Sequence, residues 1–135
     1  MDCLFCKIIA GKIQANKVWE NDQFLVFPTI SPINPGHLLL IPKEHYEYVY
    51  DIPEFLYSKL FLCAKNVAVI LKKATGAKRI GMAIEGFGVD HVHIHLIPIN
   101  HVNEINPLAA KNASEKDLRE IQERLVPFFA GMKSE

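Results

Sequence analysis

Apolar residues along the chain recur with two different periods, and the switches fall at proline and glycine. Residues 3–11 read as a short turn or helix that ends at Gly11. Lys17–Glu20 and Gln23–Phe27 are β-prone runs joined by Asn21-Asp22, a pair suited to a hairpin turn. Pro28, Pro32 and Pro35-Gly36 make residues 28–36 an ordered loop. Leu38–Pro42 is continuously apolar, which predicts a strand buried on both faces. From about Pro53 to Thr75 the period becomes helical. Leu56, Leu60, Cys63, Val67, Ile70 and Leu71 form one stripe, Pro53 suits the first turn and Gly76 stops the helix. Ile80–Glu85 and His91–Ile99 predict two more strands, separated by Gly86-Phe87-Gly88. A last helix is expected from Ser114, where Ser114 and Asp117 make a capping-box-like pair. Leu118, Ile121, Leu125 and Phe128 are its expected apolar face, and Pro127 is expected to kink or end it.

The order is three strands, a helix, two strands and a helix. Hairpin-length links predict an α+β fold: a mostly antiparallel five-stranded sheet with two main helices segregated to it. No repeat, low-complexity tract or linker interrupts the chain, so residues 1–135 are expected to form a single domain.

Composition narrows the partners. Fifteen Lys+Arg balance fifteen Asp+Glu. A neutral chain lacks the basic field of a nonspecific nucleic-acid binder, although one site can still hold a small anion. No apolar run is long enough for a membrane span, and the first residues lack a basic n-region. Three cysteines without a secretion signal point to a reducing, cytoplasmic setting rather than a disulfide scaffold.

The chemistry concentrates in His91-Val92-His93-Ile94-His95-Leu96-Ile97-Pro98. Alternation along a strand puts His91, His93 and His95 on one face and the aliphatic residues on the other. Neighbouring imidazoles then stand roughly 6.5–7 Å apart, as separate groups along a line. A neutral imidazole can bind a metal, move a proton or attack phosphorus to give a phosphohistidine. Gly86 and Gly88, just before the strand, can offer backbone N–H groups to phosphate oxygens. Cys3-x-x-Cys6 has zinc-knuckle spacing, though two cysteines alone also suit buried thiols in a short helix.

Three blocks together resemble the histidine triad (HIT) family, in its bacterial-type, zinc-bearing form. They are the alternating histidines, the stretch from Ile30-Ser31-Pro32 through Pro35-Gly36-His37 to Ile41-Pro42-Lys43-Glu44-His45, and Cys3-Leu-Phe-Cys6-Lys-Ile-Ile-Ala-Gly11. They run in the family's order over nearly residues 1–100. The resemblance implies a HIT-like fold and a homodimer whose sheets join into ten strands. It implies a purine nucleotide or nucleotide conjugate as ligand, with hydrolysis or transfer of its nucleotidyl group from phosphate, an amine or a dinucleoside polyphosphate. By position, His93 is the implied nucleophile on the α-phosphorus and His95 its partner in charge and proton handling. Ile8, Phe27, Thr29 and Ile30, with Gly86 and Gly88, are the implied nucleotide contacts. Cys3, Cys6, His45 and His91 are the implied ligands of a structural Zn2+.

Two segments depart from the family pattern. Thr29 stands where many members have an aspartate for the ribose hydroxyls, and Thr offers only one hydroxyl. Ile84-Glu85-Gly86-Phe87-Gly88-Val89-Asp90 replaces a more polar segment before the triad. These departures keep two other readings open: a nucleotide sensor or scaffold with little catalysis, and a metal-dependent hydrolase in which the histidines hold a catalytic ion. His37 reads as a structural residue at the end of a loop, and His101 as an exposed one.

Overall fold

The hairpin turn at Asn21 starts the sheet. Its side-chain oxygen accepts the Gln23 and Phe24 N–H groups at 2.9 and 2.7 Å, which turns β1 (Trp19–Glu20) back into β2 (Phe24–Pro28). β3 (Leu38–Pro42), β4 (Arg79–Ala83) and β5 (Ile94–Ile99) complete one five-stranded sheet in the order β1-β2-β3-β5-β4. Every neighbouring pair is antiparallel. The structure, a computed structural model, describes residues 2–133.

Side chains alternate across this sheet and build two cores. Phe24, Val26, Leu38, Leu40, Ile94 and Leu96 point to one face, under α2 (Glu54–Thr75) and α3 (Glu115–Phe129). Leu25, Phe27, Leu39 and Ile41 point to the other, where Phe5 and Ile8 of α1 (Leu4–Ile9) cover them. Leu60, Val67 and Leu71 are fully buried on the α2 stripe. Each Leu so buried contributes about 1.5–3 kcal/mol by the area removed from water. Gly76 ends α2 in the left-handed region (φ 71°), a conformation open to glycine at little cost.

The expected elements are present, with shifts that have local causes. The α2 stripe buries Ala64 and Ala74 and leaves Ile70 only partly covered. α3 begins at the expected capping box: Ser114 accepts from the Asp117 N–H, and Asp117 accepts from the Ser114 N–H. Pro127 does not end this helix, which runs on to Phe129. Phe129, rather than Phe128, enters the core, because it stands one turn beyond the buried Leu125. β4 stops at Ala83, and the chain then turns through Gly86 and Gly88, both left-handed (φ 83° and 86°).

β5 starts at Ile94 rather than His91. Just upstream, the Val92 N–H leaves the β3 ladder and donates to the Tyr46 carbonyl at 2.7 Å. The alternation survives this change of partner. Val92 packs under the helices, and His91 and His93 lie on the α1 side with Phe5 edge-on to both rings.

Candidate metal centre and active site

α1 carries two sulfurs to the start of the histidine strand. Cys3 caps the helix, and its sulfur accepts the Cys6 N–H at 3.4 Å. Burial and the neighbouring Cys3 push the Cys6 thiol above its ordinary value, so a thiolate here needs a cation beside it. His91 supplies the first nitrogen. Its Nε2–H donates to the Pro42 carbonyl at 2.7 Å, which leaves an unprotonated Nδ1 facing the sulfurs. That Nδ1 lies 3.4 Å from Cys3 Sγ and 3.6 Å from Cys6 Sγ. His45 Nδ1 lies 3.3 Å from Cys6 Sγ and 3.2 Å from His91 Nδ1.

These spacings match a tetrahedral ion. Zinc bonds of about 2.3 Å to sulfur and 2.0–2.1 Å to nitrogen require S···N near 3.5 Å and N···N near 3.3 Å. Two imidazole Nδ1 atoms at 3.2 Å repel if both present lone pairs to empty space, and a cation between them removes the conflict. Cys3, Cys6, His45 and His91 are thus a Cys2His2 set suited to zinc, with their donor atoms all within 4.8 Å of one another. Four protein ligands close the coordination sphere, which is the form of a structural site.

His93 is fixed by its own backbone. Its Nδ1–H donates to the His91 carbonyl at 2.8 Å, which leaves Nε2 as the free lone pair. His95 lies alongside, with ring centroids 5.1 Å apart. Burial holds the His95 pKa below the ordinary imidazole value, His93 lowers it further, and Glu85 works against both.

A fourth ring completes the group. His37 Nδ1 accepts the Ile33 N–H at 3.0 Å, so its Nε2 carries the proton and donates to His95 Nδ1 at 2.9 Å. His95 Nε2 must then carry its own proton, pointed away from His37. The order of donors leaves His93 Nε2 with an open lone pair and His95 Nε2 with a free N–H. Burial, and then His95, push the His37 pKa down to about 3. Reading His37 as a purely structural residue is therefore incomplete: it orients a triad ring. The available signal was period two, since His37, Leu39 and Ile41 fall on one side of β3 and Leu39 is paired with His95. His101 is exposed, as expected.

The implied nucleotide contacts are spread around these rings. Phe27 and Ile8 lie buried in the α1-side core, with Phe27 edge-on to Phe5. Ile30 is 66% exposed, and its carbonyl accepts the Ala113 N–H. The Thr29 hydroxyl is taken up locally by the Ser31 N–H at 3.2 Å. Thr29 and His37 also line a cleft of about 840 Å3 between the 28–37 loop and α3, whose lining does not include His93 or His95. Gly86 and Gly88 sit in the turn between β4 and His91, with open space where a Cβ would stand. Cys63 is core, as expected, and burial pushes its thiol up to about 12. No helix among the described residues is long and apolar enough to cross a membrane.

Known proteins share this fold and sequence. A family model described as the HIT domain matches residues 10–125. Protein hit of Bacillus subtilis is 37% identical over 102 residues, covering 72% of this chain and 70% of that protein. An adenosine 5'-monophosphoramidase of Saccharomyces cerevisiae is 38% identical over 97 residues, covering 71% of this chain and 61% of that enzyme. Among solved structures, a Zn-bound histidine triad family protein from Mycobacterium smegmatis superposes with a TM-score of 0.81 at 26% identity, covering 96% of this chain and 94% of that one.

Proposed function

The chain belongs to the HIT domain family, and on that premise we propose that it hydrolyses or transfers a nucleotidyl group through a nucleotidyl-His93 intermediate. The substrate is a purine nucleotide conjugate of the adenosine phosphoramidate or dinucleoside polyphosphate type. The observation that carries this reading is the donor order His37→His95 beside His93→His91 carbonyl. It leaves one ring with a free lone pair and its neighbour with a free N–H.

His93 Nε2 attacks the α-phosphorus, and the bond to the leaving group breaks. His95 Nε2–H donates to the phosphoryl oxygen or to the departing atom. Water then cleaves the P–N bond to His93 and restores the free ring. Phe5, edge-on to His93 at 5.2 Å, holds the ring in place during both steps. Zinc bound by Cys3, Cys6, His45 and His91 supplies a cross-link between α1 and the strand that carries His93. The closed donor set favours this structural role over a metal-dependent hydrolase.

That Cys3, Cys6 and Cys63 are joined in no disulfide supports a cytoplasmic setting. The open edge of β4 supports a homodimer that extends the sheet to ten strands. The test is turnover of adenosine 5'-phosphoramidate and of diadenosine tetraphosphate, with and without chelator, beside His93→Ala. Activity that survives chelation and vanishes in His93→Ala is expected. Loss on chelation without unfolding would favour catalytic metal, and tight nucleotide binding without turnover would favour the sensor.

A further inference from the structure

We propose that the cleft between the 28–37 loop and α3 is a second ligand site, taking a small organic anion with an apolar body and a phosphate or carboxylate head. It stands apart from the nucleotidyl-His93 reading, and its test needs no turnover.

The cleft lies across the sheet from the triad. Phe24 and Val26 of β2 point under the helices, and alternation puts Pro28 on that side with its partner Leu38. Gly36 faces the same way: a Cβ there would stand 3.0 Å from Thr75 Cγ2 and 3.8 Å from Leu71 Cδ1, both on α2. α3 forms the other wall with Leu118, Ile121 and Arg124. None of Ile8, Phe27, Ile30, His93 or His95 lines this space. His37 stands between the two sites, lining the cleft while its Nε2 reaches His95.

The walls are fixed before any ligand arrives. The Lys111 N–H donates to the Pro32 carbonyl at 3.2 Å and the Ala113 N–H to the Ile30 carbonyl at 2.8 Å. The Ser31 hydroxyl donates to Asn112 Oδ1 at 2.8 Å. These bonds tie residues 30–32 to the segment leading into α3. Further along the loop, Asn34 Nδ2 donates to the Pro98 carbonyl and to Glu104 Oε2, both at 2.8 Å. The volume of about 840 Å3 between walls so held falls within the range of small-molecule sites, about 300–1,000 Å3. A preformed cleft also spares a ligand the cost of ordering its site.

The occupant follows from the lining. Pro28, Pro32, Ile33, Leu118 and Ile121 offer apolar faces to the body of a ligand. Four charged side chains stand among them: Lys111, Asp117, Glu120 and Arg124. The two acids are engaged within α3 and its cap. Asp117 accepts the Ser114 N–H at 3.2 Å, and Glu120 pairs with Lys116 at 4.0 Å. Neither the Lys111 ammonium nor the Arg124 guanidinium has a hydrogen bond or ion pair among the described residues. The unanswered charge is therefore positive, and a guanidinium holds phosphate or carboxylate through two parallel N–H groups.

The probe is phenylphosphonate, whose P–C bond offers no hydrolysable leaving group. It is titrated into the isotopically labelled full chain and followed by amide NMR. Saturable binding is expected with a Kd of about 1–10 mM, and with the largest shifts at Ile33, Ala113, Leu118 and Ile121. Inorganic phosphate lacks the apolar body and benzyl alcohol lacks the charge, so each should bind at least about tenfold more weakly. The double variant Lys111→Gln, Arg124→Gln should weaken phenylphosphonate at least about tenfold as well. Both side chains are exposed and unpaired, so the fold does not depend on them. Absence of saturable shifts overturns the proposal, as do shifts confined to the residues around His93, which would place the probe at the triad alone. Equal binding of the three probes, or a double variant that binds as tightly as the wild type, overturns it too.

Discussion

Replacing His37 by Phe tests whether the donor order governs the chemistry. The ring volume is kept and both nitrogens are lost. Two partners are then orphaned in a partly buried place: the Ile33 N–H, held at 3.0 Å, and His95 Nδ1, held at 2.9 Å. Each orphan costs about 1–3 kcal/mol, so the variant should lose about 2–6 kcal/mol of stability. For a chain of this size that lowers Tm by about 10–20 °C. The effect on rate is separate. Without the His37 donor, His95 is free to carry its proton on Nδ1, which empties Nε2 of the hydrogen aimed at the substrate. Loss of one preorganised donor to a developing oxyanion costs about 10²–10³-fold at full effect. A mixture of tautomers retains part of it, so kcat/KM should fall about 10–100-fold. The assay is steady-state hydrolysis of adenosine 5'-phosphoramidate at a temperature where urea unfolding shows the variant to be folded. His37→Gln is the control, since its amide can both accept from Ile33 and donate to His95. It should recover most of the rate. A His37→Phe enzyme within twofold of wild type, or a His37→Gln enzyme as slow as His37→Phe, refutes the role given to the relay.

Three further outcomes are expected. Freshly purified protein should contain about one zinc per chain by elemental analysis, and Cys6→Ser should lose the metal and unfold at a lower temperature; metal-free wild-type protein would contradict the tetrahedral reading. Stability should fall as pH drops below about 6.5, because His37 is neutral in the folded state down to about pH 3 and takes a proton more readily when unfolded. The unfolded chain therefore binds more protons across that window, and the contribution at most reaches about 5 kcal/mol, complete above pH 6.5. Urea midpoints against pH check this, and His37→Gln should flatten the slope. Gly81→Ala should destabilise by about 1–3 kcal/mol, since the added Cβ would collide with Ile105 and stand 3.2 Å from Ile99 Cδ1; an unchanged unfolding midpoint would show that the 100–106 loop yields freely.

The alternating histidines were legible because period two survives local changes of partner. Val92 gives its N–H to Tyr46 instead of β3, yet still points under the helices, so His91 and His93 keep their face. The metal set was legible in part. Cys3 and Cys6 announce a pair by spacing, but His45 and His91 join it only because β3 and β5 are neighbours in the sheet. Residue spacing alone carries no such adjacency, and there the resemblance to a family supplied the ligands. Element ends were the least legible. Phe128 and Phe129 are equally apolar, and only the position of Leu125 in the packed helix decides which is buried.

His37 shows where reading by composition stops. A histidine after Pro35-Gly36 has the look of a loop end, and nothing local distinguishes a structural ring from a working one. Its role depends on which side of β3 it takes and on which residue of β5 lies opposite. The parity of β3 is set by packing, with Leu38 and Leu40 under the helices and Leu39 and Ile41 under α1. That choice puts His37 beside His95 and fixes the proton of each ring in turn, back to a single backbone N–H at Ile33. The place of His37 beside His95 is therefore set by a neighbouring strand, whereas the shared face of His91, His93 and His95 is set by the alternation of their own.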